Sequence, residues 1–336
     1  MSTKTAPAHP PSPMPYLRSL YAVIETQLQE VERILQAELR SEHPYVDELV
    51  RYGCLLGGKR LRPAMLLLSA NAAGGIRPQH LTLAAVVEMI HTATLIHDDV
   101  LDGAVTRRHL ATVNSRWDNE ASVLLGDFLF SHALWLASRL DSTAACRILG
   151  ASMNVVCEGE LRQKGTRGDF GLSEAEYLSI IEAKTAELCA CSCRLGAHFA
   201  DADSAVIEQL DAYGRNLGIA FQIADDLLDV VGDESATGKS LGTDLARQTP
   251  TLPGIRLLTV VSRRERDEVL AILEGGVPGR LSALRPFLEH HDAIRYAREK
   301  ADDYADRARR QLDSLAPSPA VEAMRLLTQF VVARPA

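Results

Sequence analysis

Two short stretches carry more negative charge than their apolar surroundings explain. "LIHDDVLDG" (95–103) sets Asp98, Asp99 and Asp102 among Leu95, Ile96, Val100 and Leu101, and "FQIADDLLDVVGD" (221–233) repeats the spacing with Asp225, Asp226 and Asp229. On a helix, positions i and i+4 share a face and each residue rises ~1.5 Å, so Asp98 and Asp102 point the same way about 6 Å apart along the axis. Asp225 and Asp229 do the same. Buried carboxylates are costly unless something pairs with them. Hard oxygen ligands in this arrangement suit Mg²⁺, which takes one or two carboxylates and completes its shell with water and phosphate oxygens. One such cluster also reads as a solvated helix end; two in apolar frames call for a shared cause. Neither has the ligand loop with a glutamate at its twelfth position that an EF-hand requires.

Cations stand where a metal-bridged anion would need them. "GGKRLRP" (57–63) places two glycines, which free the backbone for close approach, before Lys59, Arg60 and Arg62. It reads as a diphosphate cradle, or as a charged loop opening a helix. Arg107 and Arg108 follow the first acidic cluster closely enough to serve the same phosphates. "EAKTAEL" (182–188) supplies Lys184 and Thr185 within a long helical pattern, and "ATGKSLGTD" (236–244) puts Lys239 in a glycine-bearing loop placed as a flap. Other charge runs, such as "SRRERDE" (262–268), read as solvated surface.

The elements that must hold these side chains are helices. From Tyr16 onward apolar residues recur at i, i+3, i+4 and i+7, beginning with "LRSLYAVIETQLQEVERILQAELR". The period returns at 44–56, 63–73, 79–102, 119–140, 143–164, 174–200, 203–232 and 251–262. Charged helices are expected at 265–273 and 290–315, and a short one near 318–333. Alternating strand patterns bounded by hairpin turns are almost absent. Long apolar helices on short connections predict an all-α fold, a single large helical bundle forming one domain over 16–336. Residues 1–15, with five prolines and no apolar period, predict a disordered tail.

The totals exclude several function classes. The 336 residues are 46% hydrophobic and 24% charged with a net charge of -8, so no whole-protein field draws nucleic acid or an anionic membrane. The first fifteen residues lack the apolar stretch of a signal peptide, and charge or glycine interrupts the apolar runs before bilayer length. A cytoplasmic protein without a transmembrane segment is expected. Cysteines stand at 54, 146, 157, 189, 191 and 193. In "CACSC" positions i and i+2 point nearly opposite ways on a helix, so small buried or half-buried residues in a reducing cytosol are expected rather than a metal site or disulfide.

Taken together, "GGKRLRP", "HTATLIHDDVLD", "TVN", "GDFLF", "EGEL", "KTAEL" and "YGRNLGIAFQIADDLLDVVGD" resemble the polyprenyl synthetase family of trans-isoprenyl diphosphate synthases, from about residue 44 to the C-terminal "FVVAR". The resemblance implies an isoprenoid-synthase helical bundle around a central active-site cavity. It implies two or three Mg²⁺ ions per site, held by Asp98, Asp99, Asp102, Asp225, Asp226 and Asp229. It implies isopentenyl diphosphate on Lys59, Arg62, His91 and Arg108, and an allylic diphosphate on Arg107, Lys184, Thr185, Gln222 and Lys239. Asp98, Asp102, Asp225 and Lys184 would carry catalysis, in a homodimer. Two positions depart from the family pattern. Thr249 in "RQTPTLP" stands where a lysine is usual, and His109, Leu110 and Ala111 replace a Gly-x-Pro.

Product length has its own signal. Short-chain members of the family carry bulky aromatics at the fifth or fourth position before the first Asp, where this chain has Ala93 and Thr94. A growing chain would pass them toward Met89, Ile90 and Val86, each helical turn covering ~5.4 Å. A floor is expected at Phe128 or Trp135. This implies a long product of seven to ten isoprene units, best placed at eight, with geranylgeranyl diphosphate as the alternative. A terpene cyclase would have a mixed second motif and no use for "GGKRLRP", and a non-catalytic subunit of a heteromeric synthase would lose Asp motifs that this chain keeps.

Overall fold

The computed structural model describes residues 17, 19–55, 58–107, 110–232, 241–275 and 279–333. The tail expected over 1–15, and the site residues Arg108 and Lys239, lie outside the described residues.

A 3₁₀ turn (Ala22–Ile24) leads into α1 (Glu25–Glu38), followed by α2 (Pro44–Leu55), α3 (Leu61–Ala73) and α4 (Pro78–Leu101). A two-residue hairpin, β1 (Thr106–Arg107) and β2 (Leu110–Ala111), pairs antiparallel with Thr106 opposite Ala111. Then come α5 (Val113–Arg116), α6 (Asn119–Ser138), α7 (Thr143–Gly165) and α8 (Glu174–Ile181). A π-helical turn (Glu182–Ala186) joins α8 to α9 (Glu187–Phe199), and α10 (Ser204–Val231) follows. The chain closes with α11 (Thr243–Ala246), α12 (Leu252–Val260), α13 (Arg263–Glu274), α14 (Arg280–His290), α15 (Ala293–Arg310) and α16 (Pro319–Val332).

Local chemistry sets the helix starts. Pro78 takes the first turn of α4, where its missing N–H costs nothing, and the Asp118 carboxylate accepts the Ala121 N–H at 2.7 Å to open α6. Ser173 and Glu176 form a reciprocal capping box at α8. The central helices are apolar nearly all round: α3 buries Pro63 through Ala70, and α4 buries Leu83 through Ile90. α4 packs along α6, α3 against α9, α9 against α10, and α10 against α15. The main hydrophobic cluster reaches from Leu17 to Val331, and Cys189, Cys191 and Cys193 are buried within it as small apolar residues.

The structure corrects several expectations. The 174–200 helix is interrupted by the π turn, Thr106–Arg107 pairs with Leu110–Ala111 as two short strands, and α14 adds a helix that the periodicity did not reveal. α6 is long and apolar enough to cross a membrane by length and composition, even with Gly126 and Asp127 in mid-helix. It lies instead against the core through Ala121, Leu125, Leu129 and Ala133, with Leu124 (60% exposed) and Trp135 (49% exposed) facing outward. Trp135 therefore cannot close a tunnel beneath α4 within the chain; the Arg139 guanidinium covers its ring at 4.8 Å.

Candidate active site

The C-terminal ends of α4 and α10 meet an open polar cleft of about 490 Å³, lined by Asp102, Lys184, Gln222, Asp226, Asp244 and Arg247 among others. Both acidic motifs thus face one volume, although 123 residues separate Asp102 from Asp225.

Asp98 sits one turn before Asp102 and faces Lys184 and Glu160. Burial is the main reason its carboxyl is pushed up to about 6; Lys184 opposes this, while Glu160 and Asp102 add to it. Lys184 is carried into the cleft by the π turn. Its ammonium donates at 2.8 Å to Glu160 Oε2 and at 2.8 Å to Gln163 Oε1. Burial works against that charge, but Asp98 and Glu160 outweigh it and hold the ammonium above its ordinary range. π turns occur mostly at functional sites, and this one turns Lys184 and Thr185 toward the acidic face.

On the other wall a relay runs from Thr185, whose hydroxyl bonds Gln222 Oε1 at 2.9 Å, through Gln222 Nε2 to Asp226 Oδ1 at 2.7 Å. Tyr177 donates to Asp226 Oδ2 at 2.6 Å. Burial pushes the Asp226 carboxyl up to about 7, against the Tyr177 and Gln222 hydrogen bonds and helped by Asp225 and Asp229. Asp225 lies half-buried beside it. Asp229 Oδ1 accepts the Thr243 hydroxyl at 2.7 Å and Asp229 Oδ2 the Asp244 N–H at 3.1 Å, fastening α11 to α10. Burial, reinforced by Asp226 and Asp229, pushes Asp244 well above the carboxylate range.

The remaining residues singled out in the sequence fall in distinct places. Asp99 is buried and paired with Arg107, whose Nε lies 2.9 Å and Nη2 2.8 Å from Asp99 Oδ1, which ties the hairpin to α4. Arg62 and His91 meet at 3.0 Å, and the Lys59 ammonium stands 5.6 Å from the centre of the Phe330 ring. Arg60 leaves the cradle: its backbone is left-handed (φ 51°), and its guanidinium reaches Glu32 and the buried Glu88. Ala93, Met89 and Ile90 are buried and Thr94 half-buried on α4 above Asp98. Glu160, Gln163, Arg167, Asp244 and Arg247 enter the site unannounced. Glu160 stood in the quoted "EGEL" and Asp244 in "GTD", the only signals that were there to find.

The sequence pattern of the polyprenyl synthetase family matches residues 43–281. The chain belongs to that family. It is 35% identical over 311 residues to the octaprenyl diphosphate synthase of Haemophilus influenzae, covering 92% of this chain and 94% of the relative. It is also 35% identical over 282 residues to a short chain isoprenyl diphosphate synthase of Methanothermobacter thermautotrophicus, covering 83% and 87%. The polyprenyl synthase of Caulobacter crescentus, solved in complex with calcium and isoprenyl diphosphate, superposes with a TM-score of 0.90 at 37% identity, covering 95% of this chain and 98% of that one. The protein is therefore a prenyltransferase enzyme of isoprenoid biosynthesis, and its bundle is an isoprenoid-synthase fold.

Whether this synthetase's cleft suits a hard divalent cation is a question of donors and charge. Among the described residues, no three acidic, His or Cys side chains already converge in a coordination shell. The reason is visible: Asp102 is held by Arg167 and Arg247, Asp99 by Arg107, and Asp229 by α11. The donor set still fits. Asp98, Asp226 and Asp244 are carboxyls that burial and like charge hold above their ordinary range, the condition a divalent cation relieves.

Proposed function

We propose that this enzyme condenses isopentenyl diphosphate with an allylic diphosphate, farnesyl diphosphate as the starting unit, to give a long all-trans polyprenyl diphosphate of about eight isoprene units. The observation that carries the length is Ala93 and Thr94, small side chains one turn before Asp98, with Met89, Ile90 and Val86 continuing an apolar line up α4. The octaprenyl relative supports the same reading. A geranylgeranyl-length product is the second reading, supported by the equally similar short-chain relative. Incubating the purified protein with labelled isopentenyl diphosphate, farnesyl diphosphate and Mg²⁺, then sizing the products, separates the two.

In this reading Asp98, Asp102, Asp225, Asp226 and Asp229, with Asp244 added, hold two or three Mg²⁺ ions. Bound there, Mg²⁺ supplies charge neutralisation for the departing diphosphate. Lys184, Thr185, Gln222 and Lys239 orient the allylic diphosphate, and Lys184, kept charged by Asp98 and Glu160, stabilises the oxygen that leaves. Asp99 acts on the site by fixing Arg107. Arg62, His91, Lys59 and Arg108 hold isopentenyl diphosphate so that its double bond faces the allylic carbon. The C–O bond breaks, the double bond attacks that carbon, and the proton lost from the adduct passes to the released diphosphate. Apolar helix walls keep water from the cation.

The same proposal takes residues 16–336 as one domain, supported by a core that joins Leu17 to Val331. It takes the enzyme as a cytoplasmic homodimer. The outward stripe of Val123, Leu124 and Trp135 on α6 supports a second copy packing there, which sedimentation of the wild-type protein and of Leu124→Glu would test.

A further inference from the structure

Thr249 takes the place of a lysine usual in the family, which removes one cation from the allylic-phosphate wall. Two guanidinia fill the same region. Arg247 Nη1 lies 2.9 Å from Asp102 Oδ2 and its Nη2 donates to the Asp102 carbonyl at 3.2 Å, while Arg167 Nη2 lies 3.3 Å from Asp102 Oδ1. Arg167, Arg247, Lys184 and Thr249 all line the cleft.

The backbone builds this pair deliberately. The Gly168 N–H donates to the Gln248 carbonyl at 2.8 Å, locking the turn after α7 to the turn after α11. Both turns need unusual backbone there: Gly168 has φ 78° and Gln248 φ 54°, a left-handed conformation uncommon for a non-glycine residue. Gln248 Nε2 also donates to the Glu274 carbonyl at 2.9 Å, and the Thr249 N–H to the Asp244 carbonyl at 2.9 Å. Residues 167 and 247 each immediately flank this bridge.

Their charge is not balanced by Asp102. One carboxylate pairs with two guanidinia, Asp244 also acting electrostatically on Arg247, and all three side chains of the pairing are about a quarter to a third exposed (24%, 34% and 30%), where an ion pair adds little stability. Guanidinium forks match the oxygens of a diphosphate.

We propose that Arg167 and Arg247 form a clamp for the allylic diphosphate, held on Asp102 until a divalent cation takes that carboxylate. Arg247 thereby replaces the cation lost at Thr249. The clamp rests on the proposed prenyl-transfer reading for the identity of its ligand, but binding of inorganic diphosphate tests it separately.

The test uses the full chain and calorimetry with inorganic diphosphate plus Mg²⁺, then with Mg²⁺ alone. Arg247→Ala is expected to weaken diphosphate binding about 10- to 100-fold, the loss of one charge-assisted pair of hydrogen bonds, and Arg167→Ala by less. In steady state the KM for the allylic diphosphate should rise, with the KM for isopentenyl diphosphate within about twofold of wild type. Adding Thr249→Lys to Arg247→Ala should recover most of the lost affinity. Mg²⁺ alone should bind Arg247→Ala more tightly, since its competitor for Asp102 is gone. Diphosphate affinity unchanged in Arg247→Ala, with only Mg²⁺ binding altered, would overturn the clamp and leave Arg247 as a counter-ion. If Arg247→Ala melts early, Arg247→Gln is read by the same criteria. Wild-type protein that binds diphosphate but transfers no prenyl group would refute the proposed function instead, and the calorimetric comparison would still decide the clamp.

Discussion

Gly159 presses its bare Cα against the backbone that carries Lys184. A β-carbon there would stand 2.6 Å from the Lys184 amide nitrogen and 2.9 Å from the Ala183 methyl. From the other side, a β-carbon on Gly218 of α10 would stand 2.5 Å from the Ala186 Cα. The π turn is held between two glycines. Alanine in a helix normally gains up to about 1 kcal/mol over glycine, yet overpacking of this kind costs about 1–3 kcal/mol. Gly159→Ala should therefore lower the melting temperature and, by shifting Lys184, reduce turnover by about 10- to 100-fold. Thermal melts and steady-state rates on the same preparation check both.

Removing a carboxylate from either acidic motif should abolish most catalysis without unfolding the protein. Asp98→Ala and Asp225→Ala each lose one element of charge stabilisation, of a kind commonly worth about 3–4 kcal/mol, or 10²- to 10³-fold in rate. Helical circular dichroism should stay at the wild-type level. Near-normal turnover of Asp98→Ala with Mg²⁺ present would show that this aspartate is no ligand.

Proton and metal compete for the same cleft. With Asp98 pushed up to about 6 and Asp226 to about 7, both against an ordinary value of 3.8, Mg²⁺ affinity should climb as pH rises through that window and level off above it. The sign for stability is opposite in the metal-free protein. Folded-state values above the unfolded ones give a contribution fully present below 3.8 and lost as pH rises through about 6 and about 7. Mg²⁺ should raise the melting temperature more at pH 8 than at pH 5.5. Scanning calorimetry with and without the ion reads this directly.

Ala93→Phe should shorten the product to about three or four isoprene units, because a ring would fill the line between Asp98 and Met89 one turn above the reacting carbon. Chromatographic sizing of the products decides it. An unchanged product would mean the chain grows along another wall.

Some of this was written in the residues and some was not. The i, i+4 spacing of Asp98 and Asp102 is a property of the sequence, so the acidic faces could be read without coordinates. Arg60 could not be told from Lys59 and Arg62, because only its left-handed backbone turns it toward Glu32 and Glu88. Asp244 is a single acid in a glycine-bearing loop; its approach to Asp226 depends on Asp229 catching the Thr243 and Asp244 amides. Strands of two residues are too short to show alternation, which hid the hairpin. α14, absent from the expected helices, carries inside it Pro286, a residue that ordinarily interrupts a helical pattern, yet its Leu284 and Leu288 are buried. Arg167 and Arg247 lie 80 residues apart and are brought together by a backbone hydrogen bond between their neighbours Gly168 and Gln248, a contact no local pattern encodes.

The π turn also uncouples the active site from the core. A π turn fits one more residue than an α turn into nearly the same rotation, so the extra residue bulges outward and the helix beyond it stays in phase. Deleting one residue from Glu182–Ala186 would restore a plain α-helix and leave Cys189, Cys193 and Leu195 of α9 facing the core. What it would take away is the bulge that carries Lys184 into the cleft. A single-residue deletion could thus remove the ammonium from the acidic site while the packing around it is kept.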